Sequence, residues 1–176
     1  MQRSLRYAAC MRRRNLPIVE TPAGRMVIGR RNGQLATDWE VGAALFDSPH
    51  ADSEILDCAA RLKRYFAGNR IAIDAIPTGR GTPFQVAVWT ACRAIPWGET
   101  RTYGWIAKRL RKTPVACRAV GQALRRNPLS VIVPCHRVVG ANGPGGYAGK
   151  TDGPLLRVKR SLLELESAPT NLIRSR

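Results

Sequence analysis

Residues 127–140 read "NPLSVIVPCHRVVG". An apolar run ends at Pro134, and a cysteine and a histidine follow side by side. Proline has no amide hydrogen to give a sheet and fixes its own φ. The spacing therefore predicts a short buried strand, "SVIV", that stops where the polar pair begins. After it comes a glycine-rich loop, "GANGPGGYAG" at 140–149. Leu155, Val158, Leu162 and Leu165 then recur at helical spacing, with entry at Gly153-Pro154.

Upstream the pattern is helical. Thr82-Pro83 is a cap followed by proline at the first helical position, and opens "FQVAVWTACRAI". Pro96-Trp97-Gly98 ends it. Thr102 can cap "YGWIAKRL", and Thr113-Pro114 opens "VACRAVGQALRR", which stops near Asn127-Pro128. Two short basic helices joined by a tight turn read as a helix-turn-helix. Further upstream, "LPIVET", "RMVIGRR" and "QLATDWEV" are short apolar-rich runs broken at Pro22-Ala23-Gly24 and Asn32-Gly33. Asn-Gly is a preferred hairpin turn. Asp52 to Ala67 reads as a helix with Ile55, Ala59, Leu62 and Phe66 on one face, "IAIDAI" as an edge strand, and "PTGRGT" as a boundary. The expectation is an α+β chain: a small N-terminal antiparallel sheet with a helix over residues 1–77, and a helical domain with an active-site loop over residues 78–176.

Charge narrows the partner. Lysine and arginine number 29 against 12 acids, a net charge of +17. Residues 77–176 hold 17 of the bases and 4 of the acids, and Thr100 to Gly140 holds nine bases and no acid. A polyanion binds such a surface by counterion release; a solvated basic face is the blander alternative. No apolar run approaches the roughly 20 residues of a membrane helix. Five widely spaced cysteines without CxxC argue against a disulfide framework or zinc ribbon, and suggest a reducing compartment. Gly149-Lys150-Thr151 imitates the end of a phosphate loop, but Pro144 stands where its first glycine belongs.

Cys135 is then either a buried structural thiol or a nucleophile. Cationic His136 and Arg137 beside it favour thiolate, and a cysteine next to a base is the general pattern of covalent catalysis. Adjacent side chains on a strand point to opposite faces. His136 can therefore serve Cys135 only if the chain turns there or a water relays the proton; otherwise it is a structural histidine.

The stretch resembles the active-site signature of the O6-alkylguanine-DNA alkyltransferases. "TPFQVAVWTACRAIPWGETRTYGWIA", "RAVGQALRRNP", "GYAG" and the terminal "LLELE" follow in the family's order, so the resemblance covers about Thr82 to Glu166 strongly. It implies a ribonuclease H-like N-terminal layout and a winged-helix-type C-terminal domain. It implies direct reversal of damage: Cys135 takes the alkyl group from guanine O6, and O4-alkylthymine too, once and irreversibly. His136 would accept the thiol proton through a water, and Glu166, which matches the family glutamate counted from Leu162-Leu163, would orient His136. Tyr103 would donate toward guanine N3. Arg118 would fill the stack behind a flipped base; Ala119 and Gly121 would press against the groove. Thr102 and Arg125 would join the DNA surface, and Asn127 would tie the recognition helix to the active-site turn. The carbonyls of Cys135 and Val138 would read the guanine amino group, with Tyr147 and Ala148 lining the pocket.

The implied partner is double-stranded DNA bearing O6-alkylguanine, bound by a monomer, singly or in cooperative arrays. No cofactor, metal or membrane enters, and the expected place is the cytoplasm at the nucleoid, or a eukaryotic nucleus. "AGKTDGPL" departs from the family's glycine-rich continuation, which leaves pocket width open; Arg125-Arg126 adds charge beside the Asn-Pro. The competing readings are a non-catalytic lesion binder, a transcription regulator and a cysteine hydrolase.

Overall fold

Asn32 and Gly33 both take positive φ, 51° and 69°, as a tight hairpin demands. They join β2 (Gly24–Arg31) to β3 (Gln34–Trp39), and β1 (Ile18–Thr21) pairs antiparallel on the other side of β2. The computed structural model describes residues 16–40, 46–47, 50–70, 76–113 and 116–167. The basic N-terminus and residues 71–75 of the expected edge strand lie outside these.

Alternation divides the sheet's two faces. Met26, Ile28, Leu35 and Trp39 enter the main core against α1 (Ser53–Phe66), with its Ile55, Cys58, Ala59, Leu62 and Phe66. Val27 and Ala36 face the other way, under Leu16 and Phe46. A Cβ at Gly29 would lie 2.7 Å from the Phe46 ring, so glycine is what lets that second face close. Asp52 caps α1 by accepting from the Ile55 amide, and Gly68, at φ 80°, ends it.

The second half begins with α2 (Pro83–Arg93), whose cap is reciprocal: Thr82 accepts from the Gln85 amide and the Gln85 side chain accepts from the Thr82 amide. Then follow β4 (Arg101–Thr102), α3 (Tyr103–Arg109) and α4 (Cys117–Arg125). Thr102 caps α3 through the Trp105 amide at 3.1 Å. β4 pairs in parallel with β5 (Val138–Val139), and α5 (Gly153–Ser167) closes the described chain. Among the described residues there are thus five α-helices and a three-stranded antiparallel sheet, an α+β arrangement.

One expectation needs correction. "SVIV" is not a strand. Ser130 and Val133 form an isolated bridge around a turn, and Val131 sits at φ 74°. The Val133 amide donates to Leu129 O at 2.8 Å, while Leu129 bridges to Thr37 of β3. The run is apolar because the turn is sealed in the core: Val131, Ile132 and Val133 are fully buried. A buried turn and a buried strand look alike in sequence. Only the local hydrogen bonds differ.

The two halves share that core. The Thr37 amide donates to Pro128 O at 2.9 Å and its hydroxyl to Ser130 O at 3.0 Å. Trp39 Nε1 donates to Tyr147 O–H at 3.1 Å. Trp89 of α2 donates to Ala123 O of α4 at 2.9 Å, holding the helix pair to the rest.

Candidate active site

Pro134, at φ −79° and ψ 61°, turns the backbone into a single 3-10 turn, Cys135–Arg137. The turn removes the strand alternation that would set the two side chains on opposite faces. Cys135 and His136 are both buried, at 8% and 0% exposure.

Asn127 holds the turn that carries Cys135. Its Nδ2 donates to Val133 O at 2.9 Å and reaches Cys135 Sγ at 3.4 Å, while its Oδ1 accepts from the Leu129 amide at 2.9 Å. The link expected between α4 and the active-site turn is therefore made by side chain to backbone, with a contact to the sulfur besides.

Behind the turn lies a buried carboxylate. Glu166, in the last turn of α5, is 4% exposed, whereas Glu164 faces outward. Five donors converge on it. Oε1 accepts from Tyr65 O–H at 2.6 Å, Arg137 Nη2 at 2.8 Å and His136 Nε2 at 2.9 Å. Oε2 accepts from Arg137 Nε at 2.8 Å and the Gly98 amide at 3.3 Å. Burial by itself raises this carboxyl, but the hydrogen bonds from His136 and Arg137 and their charge hold it well below the usual carboxylate range. An ionised carboxylate only accepts, so His136 carries its hydrogen on Nε2. Nδ1 is buried and has no partner among the described residues. Burial also pushes the imidazole below its ordinary value against the pull of Glu166. The resting ring is neutral, with a bare basic nitrogen.

The thiol differs from the sequence-based expectation. Arg137 does not activate it, because Arg137 is spent on Glu166 and on Ile95 O at 2.6 Å. Burial pushes the Cys135 thiol up; the Asn127 hydrogen bond and the charge of Lys159 pull it partly back. Cys135 is thus a protonated thiol at rest that needs a base.

Lys159 was hidden in the apolar stripe of α5. It is completely buried, and Nζ donates to Val138 O at 2.6 Å and Gly146 O at 3.1 Å. Burial lowers its pKa to about 8. A lysine between Val158 and Leu162 on an otherwise apolar face was the available signal. Tyr65 was equally unnoticed, three residues after Leu62 on the apolar face of α1.

A cavity of about 180 Å³ opens beside the sulfur. Cys135, Tyr103, Gly121, Arg125, Tyr147 and Ala148 line it. Tyr103 O–H donates to Gly146 O at 3.3 Å, and a Cβ at Gly121 would sit 3.8 Å from the Tyr103 ring. Arg125 lies across Gly149 so closely that a Cβ there would be 2.5 Å from Nε. Tyr147 is buried and Ala148 exposed, at φ 49°. Arg118 and Ala119 are exposed on α4 and Thr102 at the cap of α3, none of them lining this cavity. Val138 is buried behind it, its carbonyl already taken by Lys159.

A thiol, a neutral imidazole and an orienting carboxylate, set beside a cavity under a basic helix pair, have the layout of a cysteine nucleophile with its base. Comparison with known proteins makes the class specific. Residues 83–168 match the family model "6-O-methylguanine DNA methyltransferase, DNA binding domain". A methylated-DNA–protein-cysteine methyltransferase of Methanosarcina acetivorans is 41% identical over 157 residues, covering 86% of this chain and 97% of that protein. The crystal structure of Mycobacterium tuberculosis O6-methylguanine methyltransferase superposes with a TM-score of 0.67 at 35% identity, covering 90% of this chain and 96% of that one. The same protein in complex with DNA gives 0.65 at 36% identity, covering 89% and 96%. The chain belongs to the methylated-DNA–protein-cysteine methyltransferase family.

Proposed function

We propose that this protein repairs DNA by direct reversal, moving the alkyl group of O6-alkylguanine, and of O4-alkylthymine, onto Cys135. The observation that carries this reading is the cavity that meets the sulfur on one side, with the His136–Glu166 pair behind. A base in duplex DNA reaches such a cavity only after leaving the stack. Arg118 of α4 fills the gap it leaves, Ala119 and Gly121 allow close approach to the groove, and Thr102 and Arg125 contact the backbone. Tyr147 and Ala148 enclose the flipped base, and the Cys135 carbonyl accepts from its amino group; the Val138 carbonyl joins it only through the lone pair that Lys159 leaves open.

His136 Nδ1 takes the thiol proton through a water, and the imidazolium is stabilised by Glu166. The thiolate attacks the alkyl carbon. The new S–C bond forms as the C–O6 bond breaks, its electron pair passing to the guanine ring. Tyr103 leaves Gly146 O and gives its proton to N3, so the ring ends as neutral guanine; the proton that His136 took from the thiol returns to the Tyr103 oxygen through solvent, and both side chains end neutral. The thioether has no route back to a thiol, so each molecule acts once, as a monomer and without a cofactor. The same reading takes residues 1–77 as a ribonuclease H-like unit and residues 78–176 as a winged-helix-type domain.

The test is incubation of the full chain with duplex DNA bearing O6-methylguanine, followed by mass spectrometry of the Cys135 peptide. The expected result is one methyl group per protein on Cys135 and none on Cys135→Ala, which still binds DNA. Repeated turnover, or methylation at another residue, refutes the reading.

A further inference from the structure

We propose that Tyr65 is a positioning residue of this site: its hydroxyl, carried in by α1 from the N-terminal half, seats the Glu166 carboxylate against His136. The proposal rests on the alkyl-acceptor reading above and extends its machinery beyond the segment that carries the signature.

The geometry is specific. Tyr65 is 1% exposed, and its O–H donates to Glu166 Oε1 at 2.6 Å while lying 3.4 Å from His136 Nε2. The ring is fixed independently, edge-on to Trp97 at 4.9 Å and to Phe66 at 5.0 Å. Packing therefore does not need the hydroxyl. The carboxylate does not need it for charge either, since Arg137 already grips both oxygens. What the hydroxyl adds is a second neutral donor on the very oxygen that His136 uses. Two consequences follow. Oε1 is pinned from α1 as well as by Arg137, so the imidazole keeps its tautomer and aim. The phenol also draws on the same lone pairs as Nε2–H, which tempers how strongly Glu166 holds a proton on His136. Tyr65 stays a donor throughout, because burial and the nearby Glu166 charge push its own ionisation well above the ordinary value.

The groups that face His136 are Glu166 and, by its charge, Lys159 from α5, Arg137 on its own turn, and Tyr65 from α1. Of these, Tyr65 alone can be changed by one atom without altering a charge or emptying a buried ion pair.

The chain has two histidines, so a His50→Gln background leaves one imidazole for titration by NMR. In Tyr65→Phe, the His136 midpoint should rise by about half a unit or more, because Glu166 keeps more of its acceptor strength for the imidazolium. Methyl transfer should fall about tenfold on duplex DNA and on free O6-methylguanine alike, the scale of one hydrogen bond to a charged group. Phe66→Leu supplies the control: it loosens the same aromatic cluster and should leave the midpoint where it was. An unmoved midpoint in Tyr65→Phe overturns the proposal, whatever happens to stability. A moved midpoint in a protein whose unsubstituted form transfers no methyl group would uphold the positioning role and refute alkyl transfer instead.

Discussion

Replacing Glu166 by glutamine separates charge from shape. Five donors point at the two carboxylate oxygens. A glutamine offers one oxygen and one NH2 group, so whichever way it turns one of the two Arg137 contacts meets a donor instead of an acceptor, and with it either the Gly98 amide or the Tyr65–His136 side. The Arg137 and Glu166 side chains are 5% and 1% exposed, so Arg137 is left charged in the interior with only the Ile95 carbonyl and one neutral amide oxygen as acceptors. Breaking a buried pair from one side costs about 3–5 kcal/mol. In a chain of this size about 2–4 °C is lost per kcal/mol, which puts the fall in Tm at roughly 6–20 °C.

The pH dependence gives a sharper test. Glu166 is held below the usual range in the folded protein, so on acidification the unfolded chain takes up its proton first. Its stabilising contribution is complete above the unfolded value of about 4.3 and fades as pH falls toward the folded one. Thermal melts of both proteins from pH 7 down to pH 3 should show their gap full above about pH 5 and narrowing below. A Tm within about 3 °C of the parent at pH 7, or a gap that widens in acid, would refute the claim that this carboxylate is ionised and holds Arg137.

Two other predictions concern the sulfur. Asn127→Ala leaves the Leu129 amide without its acceptor and removes the donor near Sγ; stability should drop by about 1–3 kcal/mol in chemical denaturation, and the rate of iodoacetamide labelling of Cys135 should shift to higher pH, since that hydrogen bond lowers the thiol's pKa. Lys159→Met should shift the labelling profile the same way by removing the nearest buried positive charge. It should also gain in relative stability at neutral pH. Lys159 titrates at about 8 when folded and near 10.4 when unfolded, so the parent recovers against the variant as pH rises through that window. A constant difference between the two across that range would mean Lys159 is not titrating as a buried group.

What could be read from the chain, and what could not, divides along contact range. Asn32-Gly33, Thr82-Pro83 and Thr102 each announced a turn or a cap, because the hydrogen bonds involved close within four residues and depend on local residue types. The apolar stripes of α1 and α5 were likewise visible in their period. "PCHR" pointed to the proposed nucleophile, and the basic excess pointed to a polyanion partner.

The sequence by itself determined the order of the elements, their buried faces and the address of the reactive pair. It did not determine that the "SVIV" run is a turn, that Arg137 is withdrawn from Cys135, or that Tyr65 and Lys159 attend the site. Those outcomes belong to the tertiary structure. Apolar periodicity says which face is buried but not against what, because the hydrophobic effect has no direction. Tyr65 meets Glu166 across 101 residues of chain, and Trp39 meets Tyr147 across 108. Such meetings are set by how the sheet, α1 and α5 pack on one core. Only when they are packed does a carboxylate have five donors, and a buried thiol a cavity beside it.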